Sequence, residues 1–246
     1  MNHVLLTGAS GRLGREIFAA GQNKSFSVHA LTRTELVKIG EVINRTAKSN
    51  PEKTIIIDVT LPEGTEALIA GLESAGVQEK ISALVIGSTG HSTEQLKKIS
   101  DIGKKIPVIL SSNFSRGVYL FEEILNAKTS TGATVADLAR TLGFDLSLWE
   151  SHHTLKKDAP SGTARTLAAA AAIDSERIAS TRVGAVVGEH TLFMSQESEE
   201  LRITHIAHAR KLFAEGALDL CDRIFKTPLA AGTYNMSEAL RVLLKG

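Results

Sequence analysis

The chain has one cysteine in 246 residues, Cys221, so it can form no internal disulfide and no cysteine-based zinc cluster. A reducing, cytoplasmic compartment is the expectation. Long apolar runs are also missing; the segment 4–6 near the start is far too short for a signal-peptide core or a membrane span. Neither sign of charge dominates: 28 Lys and Arg against 27 Asp and Glu leave a formal net charge of +1. Nothing global therefore calls for nucleic acid or a membrane surface. There is no internal repeat, and the only biased tract is a run of alanines at 168–172. What remains, 43% hydrophobic and 22% charged, is an ordinary globular composition long enough for one large domain or two modest ones.

Residues 3–7 read as a short buried strand and run straight into Gly8-Ala9-Ser10-Gly11-Arg12-Leu13-Gly14, followed by a helical stretch. Strand, glycine turn, helix is the context that makes a glycine pattern a dinucleotide fingerprint. Gly8 allows a tight turn, Gly11 a close approach of pyrophosphate, and Gly14 helix packing on the strand. A second strand is expected at 27–31, ending at Thr32-Arg33. Where NAD-binding proteins commonly carry an acid for the ribose 2′-OH, Arg33 suits a 2′-phosphate. Strands follow at 54–59, 83–86 and 107–110, each with a polar or glycine-rich end: Thr60 to Thr65, Gly87-Ser88-Thr89-Gly90 and Ser111-Ser112-Asn113-Phe114. Ser92 with Gln95 forms a capping box for the next helix. Strands alternating with helices predict a parallel sheet, with ligands at the carboxyl ends of its strands.

Beyond residue 115 the pattern changes. A helix is expected at 118–127, strands near 145–149, 183–187, 191–194 and 201–206, a helix at 210–225, a loop marked by Pro228 and Gly232, and a closing helix at 237–244. The fold class is therefore α/β: a Rossmann-like parallel-sheet domain plus a smaller α+β domain with a mostly antiparallel sheet.

The densest chemistry lies at 150–164, with Glu150, His152, His153, Lys156, Lys157 and Asp158 ahead of Pro160-Ser161-Gly162-Thr163. Ser161 is an N-cap candidate for an alanine-rich helix expected to take in Leu167 to Ala172, and the Gly162 and Thr163 amides stand at its N-terminus, where a carboxylate or phosphate binds well. Cationic side chains and amides could converge there on one acidic small molecule.

Glu150, His152-His153, Lys156, Asp158 and Pro160 to Ala164 together resemble the signature of the dihydrodipicolinate reductases. The resemblance extends to Asp58-Val59-Thr60 with Pro62 to Thr65, to Gly87 to Gly90, to Asn113-Phe114-Ser115 with Gly117, and to Gly188-Glu189-His190, His205 and Arg210. Leu61 stands where an Arg is frequent, and Ser88 replaces a Thr. The resemblance implies NAD(P)H-dependent reduction of 4-hydroxy-tetrahydrodipicolinate in lysine and diaminopimelate biosynthesis, by a homotetramer. It implies His152 as acid/base and Lys156 as proton donor, with His153, Ser161, Gly162 and Thr163 holding the substrate carboxylates. Cofactor contacts would come from residues 8–14, Arg33, Thr60, Gly87, Ser88, Thr89 and Ser111 to Phe114. NADPH is expected to be preferred over NADH, and no metal is expected. It further implies a dinucleotide domain of residues 1–114 and 225–246 and a substrate and oligomerisation domain of 115–224. The spacing of four between His152 and Lys156 would put both on one face of a regular element. Glu150 and Asp158 read as structural or as supports of the catalytic groups, His190 and His205 as satisfied structural histidines with a substrate-side role as the alternative, and Lys157 as solvent-facing.

Two other classes compete. A short-chain dehydrogenase or an NmrA-like redox sensor would share the glycine turn, but the Tyr-x-x-x-Lys pair is missing. A zinc enzyme using His152, His153 and His190 would need adjacent histidines as co-ligands, a poor arrangement, and no His-Glu-x-x-His pattern exists.

Overall fold

The computed structural model describes residues 1–46 and 53–245. They divide into two units, 1–114 with 211–246 and 115–210.

The first unit opens with β1 (His3–Thr7), α1 (Arg12–Gly21), β2 (Ser27–Ala30), α2 (Arg33–Val37), α3 (Ile39–Thr46), β3 (Thr54–Asp58), α4 (Pro62–Ala75), β4 (Ala83–Ile86), α5 (Thr93–Gly103) and β5 (Pro107–Leu110). The second contains α6 (Arg116–Asn126), α7 (Val135–Thr141), β6 (Asp145–His152), α8 (Gly162–Ala170), β7 (Ile178–Arg182), β8 (Gly188–Ser195) and β9 (Glu200–Ala207). The chain then returns to the first unit with α9 (Lys211–Lys226), β10 (Gly232–Tyr234) and α10 (Met236–Leu243).

The first sheet runs β10-β5-β4-β3-β1-β2, every pairing parallel. Its centre is β-branched because helices cover both faces: all five residues of β3 are buried, as are all four of β4. Leu5, Ile56, Leu68, Leu72, Leu84, Ile99 and Ile102 belong to one continuous core cluster. The parallel order brings the carboxyl ends of β1, β3, β4 and β5 to one edge, where the polar loops begin. The capping box expected at Ser92 and Gln95 is formed.

The second sheet runs β7-β6-β8-β9; β6 pairs with β7 in parallel and with β8 antiparallel, and β8 with β9 antiparallel. Leu146, Leu148, Leu192 and Met194 pack with Leu125, Leu167 and Ala168 of α6 and α8 in a second core cluster. Glu150 and His152 continue that inward-facing alternation of β6 (period two) beyond the apolar core.

Four expectations change. The strand expected at 183–187 lies instead at Ile178–Arg182, and 183–187 turns through Gly184 at φ +49°. The valines of 183–187 mimic a strand, whereas β7 is a largely exposed edge strand with a polar sequence. The loop around Gly232 contains the edge strand β10, paired with β5 but only three residues long. The alanine-rich helix stops at Ala170, and Ala172 has a left-handed φ of +49°. The return to the first unit comes at residue 211 rather than 225. The physical reason is α9, which packs against α1 and buries Ala214, Gly216, Ala217, Leu218, Leu220, Cys221 and Ile224 within that unit.

Candidate active site

In the first unit the glycine turn is built as its sequence demands. Gly8 has φ +78°, and a Cβ there would stand 2.6 Å from the Val59 carbonyl oxygen. A Cβ on Gly14 would stand 2.1 Å from the Gly8 oxygen, so α1 is seated directly on the turn. Gly11 donates to Gly8 O at 2.9 Å and is the N-cap of α1, with no side-chain cap and no acid in the first turn. Ala9 and Ser10 complete the turn, and Arg15 Nε donates to Ser10 O at 3.0 Å. The first-turn amides of Arg12, Leu13 and Gly14 thus sit at a helix N-terminus that no side chain of its own N-cap covers, which fits a pyrophosphate.

The neighbouring loops are tied to buried Asp58. Its Oδ1 accepts from Thr7 Oγ1 at 2.6 Å and from Thr60 Oγ1 and N at 2.6 and 3.1 Å. Its Oδ2 accepts from Thr65 Oγ1. Ser88 donates to Thr65 Oγ1 at 2.6 Å and accepts from His91 Nε2 at 3.1 Å, so the β3 and β4 loops share one hydrogen-bonded chain. Ser111 bridges to Asn113 through its oxygen (2.6 Å) and amide (3.2 Å). Thr89 and Ser112 are exposed. Phe114 is buried: a Cβ on Gly87 would reach its ring at 2.8 Å, and a Cβ on Gly216 its carbonyl oxygen at 1.8 Å. Its side chain is a packing element.

At the end of β2, Thr32 is the N-cap of α2 and Arg33 its first, exposed residue. An acid missing from the strand end in sequence is present nearby: Glu35 folds back onto Thr32 N–H at 3.0 Å and Oγ1 at 2.9 Å and faces His29 Nε2 at 2.9 Å. Those bonds, the Thr32 amide first, hold its carboxyl down at about 2.

In the second unit the register Glu150↔His190↔His205 lines three side chains across β6, β8 and β9, with His152 two residues along on the same face. The His152 and His190 rings meet edge-on at 5.2 Å, and those of His190 and His205 lie 6.1 Å apart. Glu150 is completely buried. Burial works against its charge, but hydrogen bonds led by Arg182 outweigh it and hold its carboxyl below the usual range. Arg182 grips both oxygens, at 2.8 Å to Oε1 and 3.0 Å to Oε2. His152 Nδ1–H donates to Oε2, which leaves Nε2 as the lone-pair nitrogen. A Cβ at Gly188 would come within 3.1 Å of that Nε2, so the glycine keeps it uncrowded.

Burial pushes the His152 pKa down; Glu150 opposes this, while Lys156 and Arg182 reinforce it. The Lys156 charge also lowers the His190 pKa, a smaller effect there than burial and the neighbouring imidazoles. Lys156 pairs with Asp158 at 2.9 Å. Regular spacing does not put His152 and Lys156 on one face, because β6 ends at His152 and the chain turns, with Lys156 N–H donating to His153 O at 3.1 Å. The turn, not a strand or helix period, positions Lys156. His153 is half-buried and Lys157 exposed.

Ser161 caps α8 by accepting from Ala164 N–H at 3.1 Å, and its own N–H donates to Glu150 Oε1 at 3.3 Å. Its hydroxyl proton is then left for His190 Nε2 at 3.3 Å. Gly162 and the buried Thr163 occupy the first two positions of α8. His190 differs from its sequence reading as a satisfied structural residue: its Nδ1 is buried without a hydrogen-bond partner among the described residues. His205 Nε2 pairs with the Ser115 hydroxyl at 3.1 Å, and its Nδ1 is likewise unpartnered. Arg182 does not stand out in the sequence, being an isolated arginine in a polar stretch that reads as loop. Among the described residues no three of His, Cys, Asp and Glu are arranged to hold a metal ion.

The family model "Dihydrodipicolinate reductase, N-terminus" matches residues 2–114 and "Dihydrodipicolinate reductase, C-terminus" matches 125–240. A 4-hydroxy-tetrahydrodipicolinate reductase of Stenotrophomonas maltophilia (strain R551-3) is 34% identical, with 97% of each chain covered. One from Anaeromyxobacter dehalogenans (strain 2CP-C) is also 34% identical, with 98% of each covered. A dipicolinate-bound dihydrodipicolinate reductase from Paenisporosarcina sp. TG-14 shares the fold at a TM-score of 0.63 and 20% identity, over 96% of this chain and 97% of that one. The chain belongs to the dihydrodipicolinate reductase family.

Proposed function

We propose that this chain reduces 4-hydroxy-tetrahydrodipicolinate to tetrahydrodipicolinate, with loss of water, using NADPH or NADH, in lysine and diaminopimelate biosynthesis. Relatives carrying that activity in their names match over nearly the whole chain. The observation that carries the reading is the second-unit cluster, in which Glu150 bonds His152 and the N-terminus of α8 and is tied through Arg182 to the Lys156 turn.

The glycine turn supports the cofactor side: a Cβ at Gly8 or Gly14 would fill the space the pyrophosphate loop needs, and the α1 N-terminus offers its amides. Residues 8–14 would hold the pyrophosphate; Thr60, Gly87, Ser88, Thr89 and Ser111 to Phe114 would line the nicotinamide and ribose. The nicotinamide, when bound, supplies a hydride to the substrate ring. The substrate is a dianion, and His153 with Ser161, Gly162 and Thr163 would bind its carboxylates at the positive end of α8. The reaction consumes one hydride and one proton and releases water. Lys156, the cation on the turn that follows β6, is the proton donor. His152, kept neutral by burial with Nε2 as lone-pair nitrogen, is the acid/base group that accepts and returns a proton.

NADPH is the preferred cofactor in this reading. The Glu35 carboxylate is taken up by Thr32 and His29, and Arg33 stands exposed at the start of α2. A homotetramer is the proposed assembly; the outward face of the second sheet carries Trp149, Phe193 with Arg202 over its ring, and exposed Ile206. A cytoplasmic setting fits the single buried cysteine and the absence, among the described residues, of any helix long and apolar enough to cross a membrane.

The test is turnover. NAD(P)H oxidation should follow addition of freshly generated 4-hydroxy-tetrahydrodipicolinate and not of unrelated carbonyl compounds; oxidation with the latter alone would overturn the assignment.

A further inference from the structure

We propose that Arg182 is a positioning residue for the proton-handling pair, locking His152 through Glu150 and the Lys156 turn through two backbone carbonyls. It rests on the reading of His152 and Lys156 given above.

Arg182 is the last residue of β7 and lies opposite His152 in the parallel register. Its guanidinium gives Nη1 and Nη2 to the two oxygens of Glu150, at 3.0 and 2.8 Å. Nη2 also donates to Asp158 O at 2.5 Å, Nε to Lys156 O at 3.3 Å, and Nη1 to Thr181 O at 2.8 Å. One planar cation therefore joins three things that reduction needs fixed together. The first is the carboxylate that sets the His152 tautomer. The second is the turn that carries Lys156. The third, through the Ser161 N–H on Glu150 Oε1, is the start of α8.

A buried carboxylate needs a counter-charge, and that alone would explain an arginine. It would not explain the two carbonyls of the Lys156–Asp158 turn. The fork geometry of a guanidinium allows both sets of bonds at once, whereas an ammonium is a point charge with three donors. Among the described residues no main-chain ladder holds the turn beyond the single Lys156-to-His153 bond and the Thr154 amide on Gly184 O at 3.3 Å. Without the fork, Lys156 keeps its charge and its Asp158 partner but loses its anchorage to His152.

The experiment is steady-state and equilibrium work on the full chain carrying Arg182→Lys, Glu150→Gln, His152→Ala or Lys156→Ala. A misplacement of about 1 Å at a reacting group costs on the order of 10²-fold in rate. Arg182→Lys should therefore lose about 10- to 100-fold in kcat, with Tm and the NADPH dissociation constant near wild type and KM little changed. A kcat within threefold of wild type would overturn the proposal, as would an activity loss that simply tracks a loss of folded protein.

Glu150→Gln supplies the second arm, since it keeps shape and removes charge. The amide that replaces Oε2 donates toward His152 Nδ1 and so reverses the tautomer. The charged or titratable groups facing His152 are Glu150 on its own strand, Arg182 on β7, Lys156 on the turn, His190 on β8 and, behind it, His205 on β9. Of these only Glu150 holds the His152 proton on. Its neutralisation should move the acid limb of the kcat/KM profile to lower pH and cut kcat by about 10²–10⁴-fold; an unmoved limb contradicts the proposal. The two readings fail separately. If His152→Ala and Lys156→Ala are themselves near wild type, the proton-handling assignment is wrong. If they are inactive while Arg182→Lys is not, only the positioning role falls.

Discussion

At the scale of single residues, His190 is an imidazole buried among other imidazoles. Burial, then the neighbouring His152 and His205, push its pKa from 6.5 to about 3. The folded-state value lies below the unfolded one, so the unfolded chain binds the extra proton. The stability His190 contributes is whole above about pH 6.5 and drains as pH falls toward 3, at about 1.4 kcal/mol per pH unit. Urea unfolding across that window should be less steep in pH for His190→Gln, by about one proton; an unchanged slope would mean the ring is not held neutral. Arg33 carries a second residue-scale prediction. A charge-assisted bond to a 2′-phosphate contributes about 1.5–3 kcal/mol, so NADPH should be favoured about 10- to 100-fold in kcat/KM. Arg33→Ala should shrink that ratio. A wild-type preference for NADH, or a ratio that does not move in the variant, shows Arg33 to be an ordinary surface arginine.

At the scale of elements, two helix N-termini would carry the cofactor and the substrate in the proposed reading. Gly14→Ala would force a Cβ to 2.1 Å of the Gly8 oxygen, a backbone atom that cannot swing away. Dinucleotide affinity should fall at least tenfold as α1 is displaced from the turn, measured by NADPH fluorescence titration; undiminished affinity would remove α1 from the pyrophosphate site. At α8, Thr163→Val should raise KM for the dicarboxylate with kcat nearly kept, because it removes a ground-state contact. An unchanged KM would mean the substrate anchors elsewhere. Both N-termini are legible in the sequence because their signals are local: Gly8, Gly11 and Gly14 encode backbone conformation, and Ser161 encodes a cap. The apolar runs of β3 and β4 are legible for the same reason, every residue of both being buried. What the sequence does not show depends on partners distant along the chain. β7 is polar because it is an edge strand, so the valines of 183–187 give a stronger strand signal than β7 itself. Arg182 gains its meaning only from Glu150, Lys156 and Asp158, which the fold brings to it from up to 32 positions away. The unpartnered Nδ1 of His190 has no sequence signature at all.

At the scale of the whole molecule, the chain leaves the first unit after Phe114 and returns at Lys211, so the second unit is a continuous insertion in a discontinuous first unit. The C-terminal family model, spanning 125–240, crosses that return and includes α9 and β10, which pack in the first unit. Family boundaries follow the chain, whereas cores follow burial; α9 shows the difference, since its buried face meets α1. In the proposed reading the second unit's Lys156 and His152 do the proton chemistry while the first unit's glycine turn holds the cofactor. Single-turnover mixing tests it most directly, with enzyme and NADPH pre-equilibrated and freshly generated 4-hydroxy-tetrahydrodipicolinate added. Wild type should consume one NADPH per substrate. Lys156→Ala and His152→Ala should bind NADPH as tightly yet transfer hydride about 10²–10⁴-fold more slowly, and exposed Lys157→Ala should match wild type. Hydride transfer at the wild-type rate in Lys156→Ala and His152→Ala, or equal losses at Lys156 and Lys157, would contradict the account.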